Sequence, residues 1–420
     1  MYQQTVLDNQ LRVLTVPLAR ARSIAVGVYL RVGSRYETEA ESGASHFVEH
    51  MLFKGTKRRS ARDIANVIES VGGYANAATG RESTSYYTLV TPEHLPTALD
   101  LLSDILLNSR FRPSELERER GVIIEEINRI LDTPDDLVYE LITGLEWPDS
   151  PVGRSIAGTH ETVAAMSRAQ LLGFVRRHYV PGAAAVVVAG PVEHDRIVVE
   201  ASPYFSPWEP GEAPEPPPTA PRTSESQITA EIRGTEQAQM CLSVRGVARR
   251  DPNRHAVDIM TAILGDGMGS RLFQEIREKR GLAYSVDASS SHLRDTGAFV
   301  VYAGVAPERA QEALQAIIGE LDRIRRRLVN KGELARAKEY TKGRLLLGLE
   351  TPAANAGWIG SQVAENLEVM TPEEWIARLE AVTAEDVRRV AHMLFDGAAP
   401  RLALVGPFED VERFRPLLAL

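Results

Sequence analysis

Between Ser206 and Ser226 the chain reads SPWEPGEAPEPPPTAPRTSES, and this stretch limits what the rest can fold into. Proline removes a backbone N–H and fixes φ, so this density of it holds neither a helix nor a central strand. The stretch predicts an extended connector. It divides the 420 residues into an expected first domain at 1–205, a linker at 206–226 and a second domain at 227–420. A chain of this length also exceeds the usual range of a single hydrophobic core.

The second half echoes the first. Ala183 to Pro191 reads AAAVVVAGP, and Arg401 to Pro407 reads RLALVGP. Both are buried-strand patterns that end in a turn, follow a helical run and precede acidic residues. In the first half, apolar patterning predicts strands at Leu11–Val16, Ser23–Val32 and Ser83–Val90. Helices are expected at about Ser42–Phe53, Ser60–Ser70, Pro96–Leu107 and Pro113–Ile130, with Gly72-Gly73 as a helix stop. In the second half, a strand is expected at Cys241–Val244 and helices at His255–Leu264 and Lys331–Leu349. Two similar α+β domains explain the echo.

Composition narrows the function. The net charge is −9, which does not suit a phosphate-backbone binder, so no nucleic-acid partner is expected. The basic runs Lys57-Arg58-Arg59 and Arg325-Arg326-Arg327 are short and read as solvated surface. Cys241 is the only cysteine, which fits a reducing compartment. The N-terminal residues do not form a signal-peptide pattern, and no apolar run is long enough to cross a bilayer. A cytoplasmic protein without membrane insertion is expected.

The strongest local signal is His46-Phe47-Val48-Glu49-His50, an inverted zinc motif of the form His-x-x-Glu-His. On a helix, His46 and His50 share a face and can aim two imidazoles at one ion. Glu49 lies on the neighbouring edge, within reach of water at that ion. A third donor is expected from another element. The pattern Pro113 to Ile130 carries Glu115, Glu117, Glu119, Glu125 and Glu126. Glu119 and Glu126 face the same way, and Val122-Ile123-Ile124 between them would bury one side. Helical spacing leaves both Glu125 and Glu126 open as the donor.

The segment HFVEHMLFKGT, His46 to Thr56, resembles the active-site signature of the M16, or pitrilysin-like, metallopeptidases. It is most similar to the branch of mitochondrial processing peptidase and its bacterial relatives. The resemblance implies zinc on His46, His50 and Glu126, with Glu49 as general base. It implies that Glu119 supports a ligand histidine. Gly121, where relatives often carry a larger residue, is expected to weaken the helix slightly. Val71 to Ala77, VGGYANA, resembles a segment beside the bound substrate, which points to Asn76 and Ala77. Gly267 to Tyr284 resembles the family's C-domain pattern, with Arg277 and Tyr284 as the pair that reaches the substrate near the scissile bond.

The implied fold is α+β: two homologous domains, each a mixed sheet with packed helices, enclosing a peptide-binding cavity. The implied activity is zinc-dependent endopeptidase action on unfolded peptides. A homodimer is expected, or a heterodimer with a related chain. The competing expectation is a non-catalytic scaffold or substrate-binding subunit of a peptide-processing complex.

Overall fold

Two mixed sheets with the same strand plan organise the protein, whose computed structural model describes residues 2–221, 225–365 and 368–420. The six-stranded sheet runs β1 (Gln3–Val6), β2 (Arg12–Pro17), β6 (Ala184–Gly190), β3 (Ile24–Leu30), β5 (Thr84–Val90), β4 (Tyr74–Thr79). The five-stranded sheet runs β7 (Gln227–Ile232), β11 (Arg401–Gly406), β8 (Ala238–Arg245), β10 (Gly297–Val305), β9 (Ala283–His292). In the first, β2 and β6 are parallel and the remaining pairs antiparallel; in the second, β7 and β11 are the parallel pair. The two segments that echo each other in sequence, β6 and β11, thus hold equivalent places. The expectation of two mixed-sheet domains with packed helices agrees with this arrangement.

The central strands explain their own sequences. Every residue of β3 (IAVGVYL) and β6 (AAVVVAG) is buried, as continuous apolar runs are when both faces of a sheet are covered. Part of that cover comes from far along the chain. The helix Pro352–Ala364 lays Ala356, Ile359 and Val363 against Leu14, Tyr29, Ala185 and Val187. Gly360 lets it come close: a Cβ there would sit 2.3 Å from the Tyr29 ring. Conversely, a helix from the first half, Pro134–Glu146, covers the second sheet, packing Leu137, Val138 and Ile142 on Cys241, Ala403 and Val405. Similar tetrapeptides lead into these two helices and supply their first residue, Leu131-Asp132-Thr133-Pro134 and Leu349-Glu350-Thr351-Pro352.

The chain therefore forms two compact units that are discontinuous in sequence. One comprises Met1–Ile127, Ser155–Pro217 and Leu346–Thr371; the other comprises Asn128–Arg154, Pro218–Leu345 and Pro372–Leu420. A cut at the proline-rich segment alone does not separate them. That segment has no regular structure over 209–221, and residues 222–224 lie outside the described residues. It is tied down nonetheless. Arg31 pairs with Glu215 at 2.5 Å, and Arg35 donates to the Pro217 carbonyl at 2.9 Å.

The basic run after the first helix is not idle surface. Arg58 and Arg59 both pair with Asp100 and with the buried Asp104, which also accepts from Thr56 Oγ1 at 2.8 Å. These contacts fix the loop that follows the histidine motif to α3 (Leu95–Asn108). Among the described residues, no helix is long and apolar enough to cross a membrane.

Candidate metal centre

The histidine motif lies on α1 (Ala44–Leu52). Its apolar residues Phe47, Val48, Met51 and Leu52 are buried, while His46, Glu49 and His50 are only half-buried. The 3.6-residue period thus separates a core face from a chemical face. The start of α1 is fixed from outside the helix. Gly43 has a φ of 92°, and a Cβ there would meet the Ala157 carbonyl oxygen at 2.7 Å. Gly43 and Ser45 donate their N–H groups to the buried Glu37 carboxylate at 2.8 and 2.7 Å. A carboxylate at this end also complements the helix dipole.

The facing helix, α4 (Pro113–Asp132), buries Leu116, Glu119, Ile123 and Ile127 in one stripe. Of the apolar triplet expected to cover this side, Ile123 is fully buried but Val122 is 41% exposed. Glu126 Oε2 lies 3.6 Å from Nε2 of both His46 and His50. Glu125, the alternative left open by spacing, is exposed. His46, His50 and Glu126 each offer one donor atom, and these atoms lie within 4.8 Å of one another.

This donor set fits a metal ion. Tetrahedral bonds of about 2.1 Å place neighbouring donor atoms about 3.4 Å apart, close to the two histidine–glutamate separations. Two imidazoles and one carboxylate also leave a fourth position for water or substrate. The ligands must be unprotonated. Burial, with His50 alongside, pushes the His46 imidazole down to about 4, so it is neutral near pH 7. His46 Nδ1 is buried without a hydrogen-bond partner among the described residues.

His50 is held more firmly. Its Nδ1 lies 3.2 Å from Oε2 of the buried Glu119, whose Oε1 receives Lys54 Nζ at 2.9 Å. A proton on Nδ1 donated to Glu119 leaves the Nε2 lone pair facing Glu126. Glu49 meets a different strand: Thr79, the last residue of β4, donates its hydroxyl to Glu49 Oε2. Burial lifts the Glu49 carboxyl above its ordinary range, against the lowering effect of Thr79 and His50. Near it, Tyr86 and Tyr179 are buried and share a hydroxyl–hydroxyl bond of 2.9 Å.

The remaining expected residues fall in two places. Asn76 and Ala77 lie on β4, the outermost strand of their sheet, and Asn76 Oδ1 accepts from the Ala77 N–H at 2.9 Å. Arg277 and Tyr284 belong to the second unit, where they meet each other. The Arg277 guanidinium lies 5.4 Å from the Tyr284 ring centre and 4.9 Å from that of Phe273. Arg277 sits on a π-helical turn, Phe273–Lys279, a geometry that widens the helix locally. Tyr284 is 72% exposed.

Sequence reasoning missed Thr79, Glu37 and Lys54. Lys54 carried a usable signal, since it follows His50 by one turn. Thr79 and Glu37 carried none, because neither lies within local capping or helical spacing of the group it contacts.

Comparison with known proteins agrees with this geometry. The family model described as Insulinase (Peptidase family M16) matches residues 12–160, and that described as Peptidase M16 inactive domain matches residues 165–340. An uncharacterized zinc protease of Streptomyces coelicolor is 39% identical over 419 residues, covering 98% of this chain and 91% of the relative. One from Rickettsia felis is 36% identical over 402 residues, covering 96% of each. Among solved structures, a protease from Helicobacter pylori superimposes with a TM-score of 0.89 at 22% identity, covering 97% of this chain and 99% of that one. A Pseudomonas fluorescens structure described as a peptidase M16 inactive domain gives 0.90 at 20% identity, covering 97% and 98%. Those two likenesses speak to the fold, whereas the family matches and the zinc-protease relatives, together with the donor set on α1 and α4, establish that the chain belongs to peptidase family M16.

Proposed function

We propose that the protein is a zinc-dependent endopeptidase acting on unfolded peptides, of the kind found in the processing-peptidase branch of the family. The observation that carries this reading is the convergence of His46, His50 and Glu126, with Glu49 beside them on the same helix. When bound, zinc supplies Lewis-acid polarisation of the scissile carbonyl and makes water a better nucleophile. His46, His50 and Glu126 hold it, and Glu119 orients His50.

Glu49 takes a proton from the attacking water at its carboxylate and passes it to the leaving amine. Asn76 and Ala77 bind the peptide backbone along β4. Arg277 donates to a substrate carbonyl, and the Tyr284 hydroxyl donates to the developing oxyanion. The working assembly is a cytoplasmic homodimer.

The test compares wild type with Glu49→Gln on a diverse peptide library, with mass spectrometry of the products. Wild type should cleave, lose activity to a chelator and regain it with zinc. Glu49→Gln should bind zinc equally and lose about 10²-fold or more in kcat. Zinc binding without turnover in the wild type would sink the peptidase reading in favour of a non-catalytic subunit.

A further inference from the structure

Glu49 is the one member of the centre whose anchor has no part in the roles assigned above. α1 fixes its Cβ relative to His46 and His50, but the rest of the side chain can rotate. His50 is oriented by Glu119. Thr79 donates its hydroxyl to Glu49 from a separate element, β4.

The fold does not need that hydroxyl. Thr79 closes the β4–β5 hairpin, opposite Thr84, and the turn is held by the Gly80 N–H donating to the Ser83 carbonyl at 2.8 Å. A β-branched residue suits the end of a strand, and valine would serve there equally. A threonine hydroxyl has a single proton to donate, and here it goes to Glu49. A neutral His50 offers the carboxylate no charge to turn toward, and the Glu126 carboxylate repels it. The hydroxyl on β4 gives it a fixed partner and keeps a base carboxylate from joining His50 and Glu126 as another ligand.

We propose that Thr79 is a positioning residue for Glu49, its hydroxyl holding the carboxylate in the orientation used for proton transfer. This rests on the peptidase reading above.

The experiment uses zinc-loaded full-length protein as wild type, Thr79→Val, Thr79→Ser and Glu49→Gln, with kcat and KM determined separately on a quenched fluorescent peptide. Zinc affinity is measured against a competing chelator, and binding of a peptide hydroxamate, which chelates zinc and hydrogen-bonds to the base, by calorimetry. Thr79→Val should lower kcat about tenfold with KM within about twofold, a transition-state loss without lost ground-state binding. It should retain zinc affinity and Tm, and bind the hydroxamate more weakly. Thr79→Ser should restore kcat to within about threefold, since it returns the donor.

Full kcat and unchanged hydroxamate binding in Thr79→Val would overturn the inference. So would a loss that tracks zinc affinity or Tm, or one that serine does not rescue. A wild type that neither cleaves nor responds to chelator counts against the proposed function instead; unchanged hydroxamate binding in Thr79→Val would then still overturn the role of Thr79.

Discussion

Oε2 of Glu119 lies 3.2 Å from Nδ1 of His50, and Glu119 as a residue is only 2% exposed. Lys54, on its other oxygen, supplies the countercharge. A buried carboxylate is costly unless it is paired and hydrogen-bonded, and here both partners come from the end of α1 and the loop that follows it. Glu119→Ala should therefore weaken zinc binding by about 10- to 100-fold, as loss of such a supporting group does elsewhere. Competition with a chromogenic chelator measures it; unchanged affinity would remove Glu119 from the centre.

Glu125 and Glu126 are adjacent, and only the second lies 3.6 Å from both imidazoles. Glu126→Ala should lose stoichiometric zinc in metal analysis of the purified protein, while Glu125→Ala should keep it. Equal zinc content in the two variants would refute this choice of donor.

Gly121 sits inside α4, exposed, with open space where a Cβ would stand. Nothing around it requires glycine. Gly121→Ala should raise stability by about 0.5–1 kcal/mol through backbone entropy and helix propensity, read as a higher urea midpoint with unchanged zinc binding. A lower midpoint would mean that the position is constrained in some other way.

His178 is 3% exposed, packed between Tyr36 and Phe174, and burial, reinforced by Arg177, pushes its imidazole down to about 4. The unfolded chain takes up the same proton near pH 6.5. Between those values the unfolded state binds more protons, so stability rises with pH. The contribution is complete above pH 6.5, declines as pH falls toward 4 and levels off below. Urea midpoints of metal-free wild type and His178→Gln across this range should differ by a slope confined to that window. Parallel curves would exclude His178 as its source.

Much of the centre was legible because one helical period does two jobs. The alternation that buries Phe47, Val48, Met51 and Leu52 also gathers His46, Glu49 and His50 on the other side. Strand content was similarly plain where runs such as Ala184 to Gly190 are buried on both faces. Thr79 was not legible, because its contact with Glu49 depends on sheet register and not on local sequence. Nor was the destination of Pro134–Glu146 and Pro352–Ala364, since amphipathic patterning shows that a helix must be covered and not which sheet covers it. The proline-rich segment showed where the chain is extended, but not that packing reassigns a helix on either side of it.

That reassignment makes the two halves of the sequence depend on each other to fold. Each sheet takes part of its cover from the opposite half of the sequence, which is the arrangement of a domain-swapped dimer joined into one polypeptide. Fragments 1–217 and 218–420 are therefore expected to behave as partners, each insoluble alone and soluble when coexpressed.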